Sequence, residues 1–347
     1  MEKHDHIFHY QKQFELETGG ALPGFQLKYT TLGKLNSERD NVIWICHALT
    51  GSSDFTDWWG GLFSPGSPFD PSRHFIICAN IIGGCYGSTG PLSLNPKTGN
   101  PFYHDFPEIT IRDVVRSFDF LREELRIKQV EVLIGGSLGG QQVLEWAIYR
   151  PEVFKHIIPI SCNAFHSPWG IAFNEAQRMA IEADSTWKEN DPRAGIQGLK
   201  AARAIGMISY RQYETYSVTQ SEKSNETVND FRASTYQRYQ GQKLANRFNT
   251  FTYWILSKIM DSHNVGRKRD GVIEALSLIE AKTLIIGIDS DVLFPVTEQK
   301  FLAEAIPSAK LEIISSIYGH DGFLVEFEHL KKIIEHFLKK SYSEVLV

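Results

Sequence analysis

The run Val130-Glu131-Val132-Leu133-Ile134 leads at once into Gly135-Gly136-Ser137-Leu138-Gly139-Gly140. A short apolar, β-branched run reads as a buried strand. From Gly139 to Tyr149, Val143, Leu144, Ala147 and Ile148 fall at helical spacing, with no glycine or proline after Gly140, and Pro151 ends the run. A strand therefore has to turn sharply into a helix with a serine at the apex. Small flanking residues allow the strained backbone of such a turn and hold the hydroxyl clear of its own main chain. Gly-x-Ser-x-Gly alone is a weak pattern. The strand before it and the helix after it give it the context of a nucleophile elbow. Such a turn points to acyl transfer, and the rest of the chain then has to supply a base, an acid and oxyanion donors.

Other short apolar runs alternate with helix-like segments. Val42–Cys46, Phe75–Ile82, Ile157–Ile160, Thr283–Ile288 and Leu311–Ile314 are continuous rather than alternating in polarity. That is the pattern of strands covered on both faces, so a mostly parallel sheet flanked by helices is expected. Ile111, Val114, Val115, Phe118, Leu121 and Leu125 fall on one helical face, with Thr110 and Asp113 spaced as a capping box. Leu330, Ile333, Ile334, Phe337 and Leu338 predict a final amphipathic helix. Phe14–Glu17 and Phe25–Thr31 flank Gly19-Gly20 and read as a hairpin. Between about Ser167 and Gly271 the strand-like runs stop and the apolar spacing becomes helical; the polar stretch Ser217–Asp230 reads as a loop or a loose helix end. The expected architecture is an α/β-hydrolase fold with an inserted helical lid: core 1–166, lid 167–272, core 273–347.

The length of 347 residues suits a large domain with such an insertion. A net charge of −5 and the lack of a long basic run exclude a nucleic-acid footprint. No apolar run reaches the roughly 18 residues of a membrane span. Cys46, Cys78, Cys85 and Cys162 lack metal-site spacing. Three of them lie in apolar runs, as buried free thiols in a reducing compartment do, so a cytoplasmic protein without a secretory signal is expected. His4, His6 and His9 are expected on a solvated, flexible end rather than around a metal.

Two C-terminal segments follow the chain order serine, acid, histidine. Asp289 and Asp291 stand just past the run ending at Ile288, and His320 lies between Gly319 and Asp321-Gly322 before the last helix. Loops at the carboxyl ends of parallel strands are where such sheets gather reactive groups. Asp291, leading into Val292-Leu293-Phe294-Pro295, is the preferred orienting acid, with Asp289 as its alternative. Residues 47–51 (HALTG) follow Val42–Cys46, so the Leu49 and Leu138 main-chain N–H groups are the expected oxyanion donors. His47 reads better as a structural histidine under that loop than as a catalytic one. These residues do not separate a hydrolase from an acyltransferase.

Five segments together resemble the homoserine O-acetyltransferase family: HALTG at 47–51, GGCYGSTGP at 83–91, GGSLGG at 135–140 with LEWA at 144–147, DVLFP at 291–295 and GHDGFL at 319–324. Their order matches and the likeness covers nearly the whole chain. GGCYGSTGP is the most specific, although a glycine-rich structural loop would look the same. Many members carry methionine where this chain has Leu138 and Gln141. The resemblance implies Ser137 as nucleophile, His320 as base and acid, and Asp291 as its partner. It implies that Arg203 and Tyr210, seven positions apart, hold the homoserine carboxylate and that Asp321 takes its ammonium group. It further implies acetyl-CoA as acyl donor rather than as a tightly bound cofactor, a place in methionine synthesis, and a homodimer formed through a lid face carrying Tyr210, Tyr213, Tyr216, Tyr236 and Tyr239. Homoserine O-succinyltransferase, serine O-acyltransferase and carboxylesterase or thioesterase are the competing readings.

Overall fold

Apolar runs with no polar alternation cannot leave either face to water, so the strands they form need helices on both sides. The computed structural model describes residues 2–345 and shows that arrangement. Its strands are β1 (His4–Tyr10), β2 (Phe14–Glu15), β3 (Ala21–Leu22), β4 (Phe25–Leu32), β5 (Val42–Cys46), β6 (Phe75–Ala79), β7 (Val130–Gly136), β8 (Phe154–Ile160), β9 (Lys282–Ile288) and β10 (Lys310–Ile314). The main sheet has the order β1-β4-β6-β5-β7-β8-β9-β10. It is antiparallel at β1/β4 and β4/β6 and parallel from β6 onward. Alternate residues feed two cores. Trp44, Ile77, Leu133, Ile157 and Ile285 pack on one face, and Ile43, Ile45, Ile76, Ile134 and Ile286 on the other.

The helices are α1 (Thr56–Trp59), α2 (Ile111–Glu124), α3 (Leu138–Tyr149), α4 (Pro168–Glu182), α5 (Ile196–Tyr210), α6 (Tyr213–Gln220), α7 (Arg232–Ala245), α8 (Thr250–Asp261), α9 (Val272–Ser277), α10 (Val296–Ala305), α11 (Gly322–Val325) and α12 (Phe327–Val345). The α2 start is a capping box: Thr110 accepts from the Asp113 amide, and the Asp113 carboxylate accepts from the Thr110 amide. Trp44 meets Trp146 edge-on at 4.8 Å, joining β5 to α3. Helices α4 to α9 lie between β8 and β9, and α4 to α8 form an excursion from the core. Both ends of that excursion leave the core side by side. Phe165 and Asn264 form an antiparallel bridge, His166 N–H donates to His263 O and Val265 N–H to Ala164 O, each at 2.9 Å. No helix of the described residues is long and apolar enough to cross a membrane.

Four expectations need correction. The N-terminal histidines do not lie on a loose end: β1 pairs with β4 from His4 to Tyr10, and His6 stacks on Tyr29 at 4.9 Å. The strand is at a sheet edge, and only its second half alternates, with Phe8 and Tyr10 against the core and Ile7 and His9 exposed. The hairpin at Gly19-Gly20 joins β2 to β3, not to β4, because β4 is already paired on both sides. The run Leu311–Ile314 is not covered on both faces; β10 is the other edge, and Glu312 and Ile313 are exposed. Of the five tyrosines, Tyr210 does not lie on an outer face but lines a cavity, while Tyr216 packs edge-on to Tyr236 and Tyr213 and Tyr239 are exposed.

A buried ionic hub ties four parts of the chain together. Glu17 accepts from Arg112 Nη1 at 2.7 Å, Arg267 Nη2 at 2.8 Å and the Thr110 hydroxyl at 2.7 Å. Glu145 accepts from Arg112 Nε at 2.9 Å and Arg269 Nη2 at 2.6 Å. Burial pushes the Glu17 carboxyl up, but the Arg267 and Thr110 hydrogen bonds and the Arg112 charge outweigh it and hold it at about 2. A depressed carboxyl contributes stability above its unfolded value near about 4.3 and loses it as pH falls toward the folded value. Glu17→Gln is expected to cost about 3 kcal/mol near neutral pH by leaving paired arginines uncompensated. The deficit should shrink as pH falls below about 4; urea midpoints of both proteins across that range check it, and a pH-independent deficit would refute the account.

Candidate active site

At the end of β7 the chain has to reverse into α3 while passing close to the end of β5. Ser137 takes φ 58° and ψ −125° there, a region costing a non-glycine residue on the order of 1–3 kcal/mol. The turn is held from both sides: Ser137 N–H donates to Ile160 O at 2.9 Å, and Gln141 N–H donates to Ser137 O at 3.1 Å. Gly139 is required by proximity, since a Cβ there would lie 2.1 Å from the Cys46 carbonyl oxygen. Ser137 faces a cavity of about 560 Å³, open to solvent, whose walls also include His320, Arg203, Tyr210 and Asp321.

Asp291 follows β9 in a tight turn. Its Oδ1 accepts from the Leu293 and Phe294 amides at 2.9 and 2.8 Å, and its Oδ2 lies 2.7 Å from His320 Nδ1. A carboxylate only accepts, so His320 Nδ1 carries the proton and Nε2 is left as the basic nitrogen. Phe294 stacks on the imidazole at 5.1 Å and Phe323 meets it edge-on at 5.3 Å, fixing the ring plane. Asp289 does something else. Its carboxylate accepts from Ser316 N–H at 3.0 Å, pinning the loop that carries His320. Ser290 supports the same loop, accepting from Gly319 N–H at 3.1 Å.

Leu49 lines the cavity and Leu138 follows Ser137. Among the described residues, neither amide is spent on a protein acceptor. The 47–51 loop is braced from below by His47, whose Nδ1 bonds Ala48 O at 2.9 Å and whose Nε2 accepts from Ile81 N–H at 3.1 Å. Burial lowers this imidazole to about 4, against the pull of the Ala48 carbonyl, so it stays neutral. The glycine-rich 83–91 loop does not line the cavity. It backs the rim: Tyr86 OH accepts from Arg247 Nη1 at 2.6 Å, and the same nitrogen donates to Thr50 O at 2.8 Å.

The opposite wall comes from the α4–α8 insertion and the His320 loop. Arg203 and Tyr210 lie on α5, and the guanidinium carbon sits 5.3 Å from the tyrosine ring centre. Arg203 Nε is buried with no hydrogen-bond partner among the described residues. Tyr253 OH, buried behind Tyr210, donates to Gln177 Oε1. Asp321 reaches the cavity, but its Oδ2 is already 3.0 Å from Arg211 Nε. Burial raises the Asp321 carboxyl, opposed by the charges of Arg211, Arg203 and His320. Arg211, Asn174 and Gln177 were not singled out in the sequence. Arg211 was accessible in principle, since it directly follows Tyr210 at the end of α5, where a turn can swing it toward His320's loop.

A serine on a strained strand-to-helix turn, a histidine oriented by a buried aspartate and two unspent amides on a mostly parallel sheet define an α/β-hydrolase-type enzyme site. Residues 41–327 match the family model of the alpha/beta hydrolase fold. The homoserine O-acetyltransferase of Cyclobacterium marinum is 52% identical over 337 residues, covering 97% of this chain and 96% of that one. This chain therefore belongs to the homoserine O-acetyltransferase family. Its fold is also that of the homoserine O-acetyltransferase from Bacillus anthracis, with a TM-score of 0.89 at 24% identity over 97% of each chain. Esterase E22 matches with a TM-score of 0.87 at 23% identity, over 97% of this chain and 100% of its own.

The two aspartates make separable contributions. Asp291→Asn should lower turnover by about 10⁴-fold through the wrong imidazole tautomer. Asp289→Asn should lower it less than about tenfold while loosening the loop, because a side-chain amide still offers an oxygen to Ser316 N–H. Steady-state rates of the two variants decide it, and a larger loss in Asp289→Asn would reverse the assignment.

Proposed function

We propose that the protein transfers an acetyl group from acetyl-CoA to the side-chain hydroxyl of L-homoserine, through an acetyl-Ser137 intermediate, as a step of methionine synthesis. Ser137 Oγ attacks the thioester carbonyl while His320 Nε2 takes its proton, and the Leu49 and Leu138 amides hold the oxyanion. The C–S bond breaks, His320 returns the proton to sulfur, and CoA leaves. The homoserine hydroxyl then attacks the acetyl-serine carbonyl, giving its proton to His320, which passes it to Ser137 Oγ as that bond breaks. Acetyl-CoA acts as a substrate and no tightly bound cofactor is invoked. Such a protein is cytoplasmic in this reading.

The observation that carries the choice of acceptor is Arg203. It is the one Lys or Arg among the described residues lining the cavity, and its Nε has no protein acceptor among the described residues. A guanidinium fork suits an amino-acid carboxylate, with Tyr210 beside it and Asp321 facing the ammonium group. An esterase needs no such clamp. A succinyl donor would bring a second carboxylate, which this cavity meets with no second cation; the Leu49, Leu293 and Met260 side chains that line it suit acetyl. The likeness to esterase E22 keeps hydrolysis as the second reading. A second copy of the chain is proposed to dock on the exposed apolar residues of the insertion, among them Tyr213, Val218, Val228 and Tyr239. Light scattering that gives a monomer mass would remove that part.

Incubation with acetyl-CoA should release CoA in a burst and then continuously only when homoserine is added. Equal continuous release without any amino acid would make the protein a thioesterase, and faster release with succinyl-CoA or with serine would change donor or acceptor. Arg203→Ala should raise the KM for homoserine by about 10²-fold, the loss of a charged, bidentate contact, while leaving the burst intact. Equal damage to both half-reactions would reject the clamp.

A further inference from the structure

Gln142 is fully buried one turn into α3, where an apolar side chain of the same length would fill the space. Its Nε2 donates to Leu138 O at 3.0 Å and to His47 O at 3.2 Å. One nitrogen thus ties together the two main-chain segments that carry the unspent Leu138 and Leu49 amides. The amide orientation is fixed by its surroundings, because the reverse would point an oxygen at two carbonyls. The arrangement leaves Gln142 Oε1 without a hydrogen-bond partner among the described residues, a cost that leucine or methionine would not carry. Gly139 supplies the close approach of the two segments, and Gln142 supplies the bond that sets their spacing.

We propose that Gln142 is a positioning residue for the oxyanion hole, holding the Leu49 and Leu138 amides at the separation the tetrahedral oxyanion needs. This rests on the acyl-serine reading above. Displacing a preorganised donor by a fraction of an ångström weakens the transition state while ground-state binding persists.

The test compares wild type with Gln142→Met and Gln142→Glu, using acetyl-CoA for turnover and methylboronic acid as a probe whose serine adduct places an anionic oxygen in the hole. Gln142→Met should lower kcat about 30-fold with KM for acetyl-CoA within about twofold. Its inhibition constant for methylboronic acid should rise by a similar factor. Gln142→Glu guards against a variant that fails to fold. Its carboxyl, facing two carbonyls, keeps one O–H donor while protonated, so activity should be partly restored at low pH and fall as that group ionises, a limb absent from wild type. Unchanged kcat and boronate affinity in a folded Gln142→Met, or a Gln142→Glu pH profile identical to wild type, would overturn the proposal. If wild type itself forms neither a burst nor a boronate adduct, the acyl-serine reading fails instead, and the two failures stay distinct.

Discussion

The approach of the start of α3 to the end of β5 is the contact on which the site depends. With only hydrogen on Gly139, the helix can begin against the Cys46 carbonyl, at a distance no side chain would allow. Two parallel strands and the loops that leave them are thereby forced to share one small volume. Ser137 and the Leu138 amide come from one turn and the Leu49 amide from a loop more than eighty positions earlier, which His47 braces from below. The strain at Ser137 is offset by this neighbourhood: β8 holds its amide and α3 holds its carbonyl.

Around that contact the work is divided by chemistry. The histidine is immobilised by a carboxylate on one nitrogen and aromatic rings on its faces, leaving a single basic position. The far wall carries polar groups of opposite sign, with Arg203 unsatisfied and Asp321 already paired to Arg211. Under the proposed function, an amino-acid acceptor meets one group that needs a partner and one that has a partner to exchange. Low local dielectric makes both interactions strong once water is displaced.

What the sequence disclosed follows from locality. The elbow, the strands β5 to β9, the capping box at Thr110 and the ordered segments around Asp291 and His320 each declare themselves within a few residues, through period or turn chemistry. Edge strands declare less: Leu311–Ile314 reads as a strand but not as an edge, and the half-exposed His4–Tyr10 stretch reads as a tail. The pairing of Asp321 with Arg211 was equally hidden, because the two are 110 positions apart and nothing local requires them to meet. Gln142 lay within the most legible motif of the chain, but a glutamine at a core-facing helical position shows its purpose only when the carbonyls above it are known.

The paired departure and return of the chain at residues 163–166 and 263–265 has a further consequence. The hundred or so residues between are an excursion that leaves and rejoins the core at neighbouring points, between the parallel strands β8 and β9. Under the proposed function, acceptor recognition by Arg203 and Tyr210 is written inside that excursion, whereas Ser137, Asp291 and His320 are written outside it. The molecule is thus modular in the engineering sense. Its bond-making groups are separable in sequence from the segment that carries Arg203 and Tyr210, while Arg211 with Asp321 and Arg247 with Tyr86 and Thr50 tie that segment back to the core.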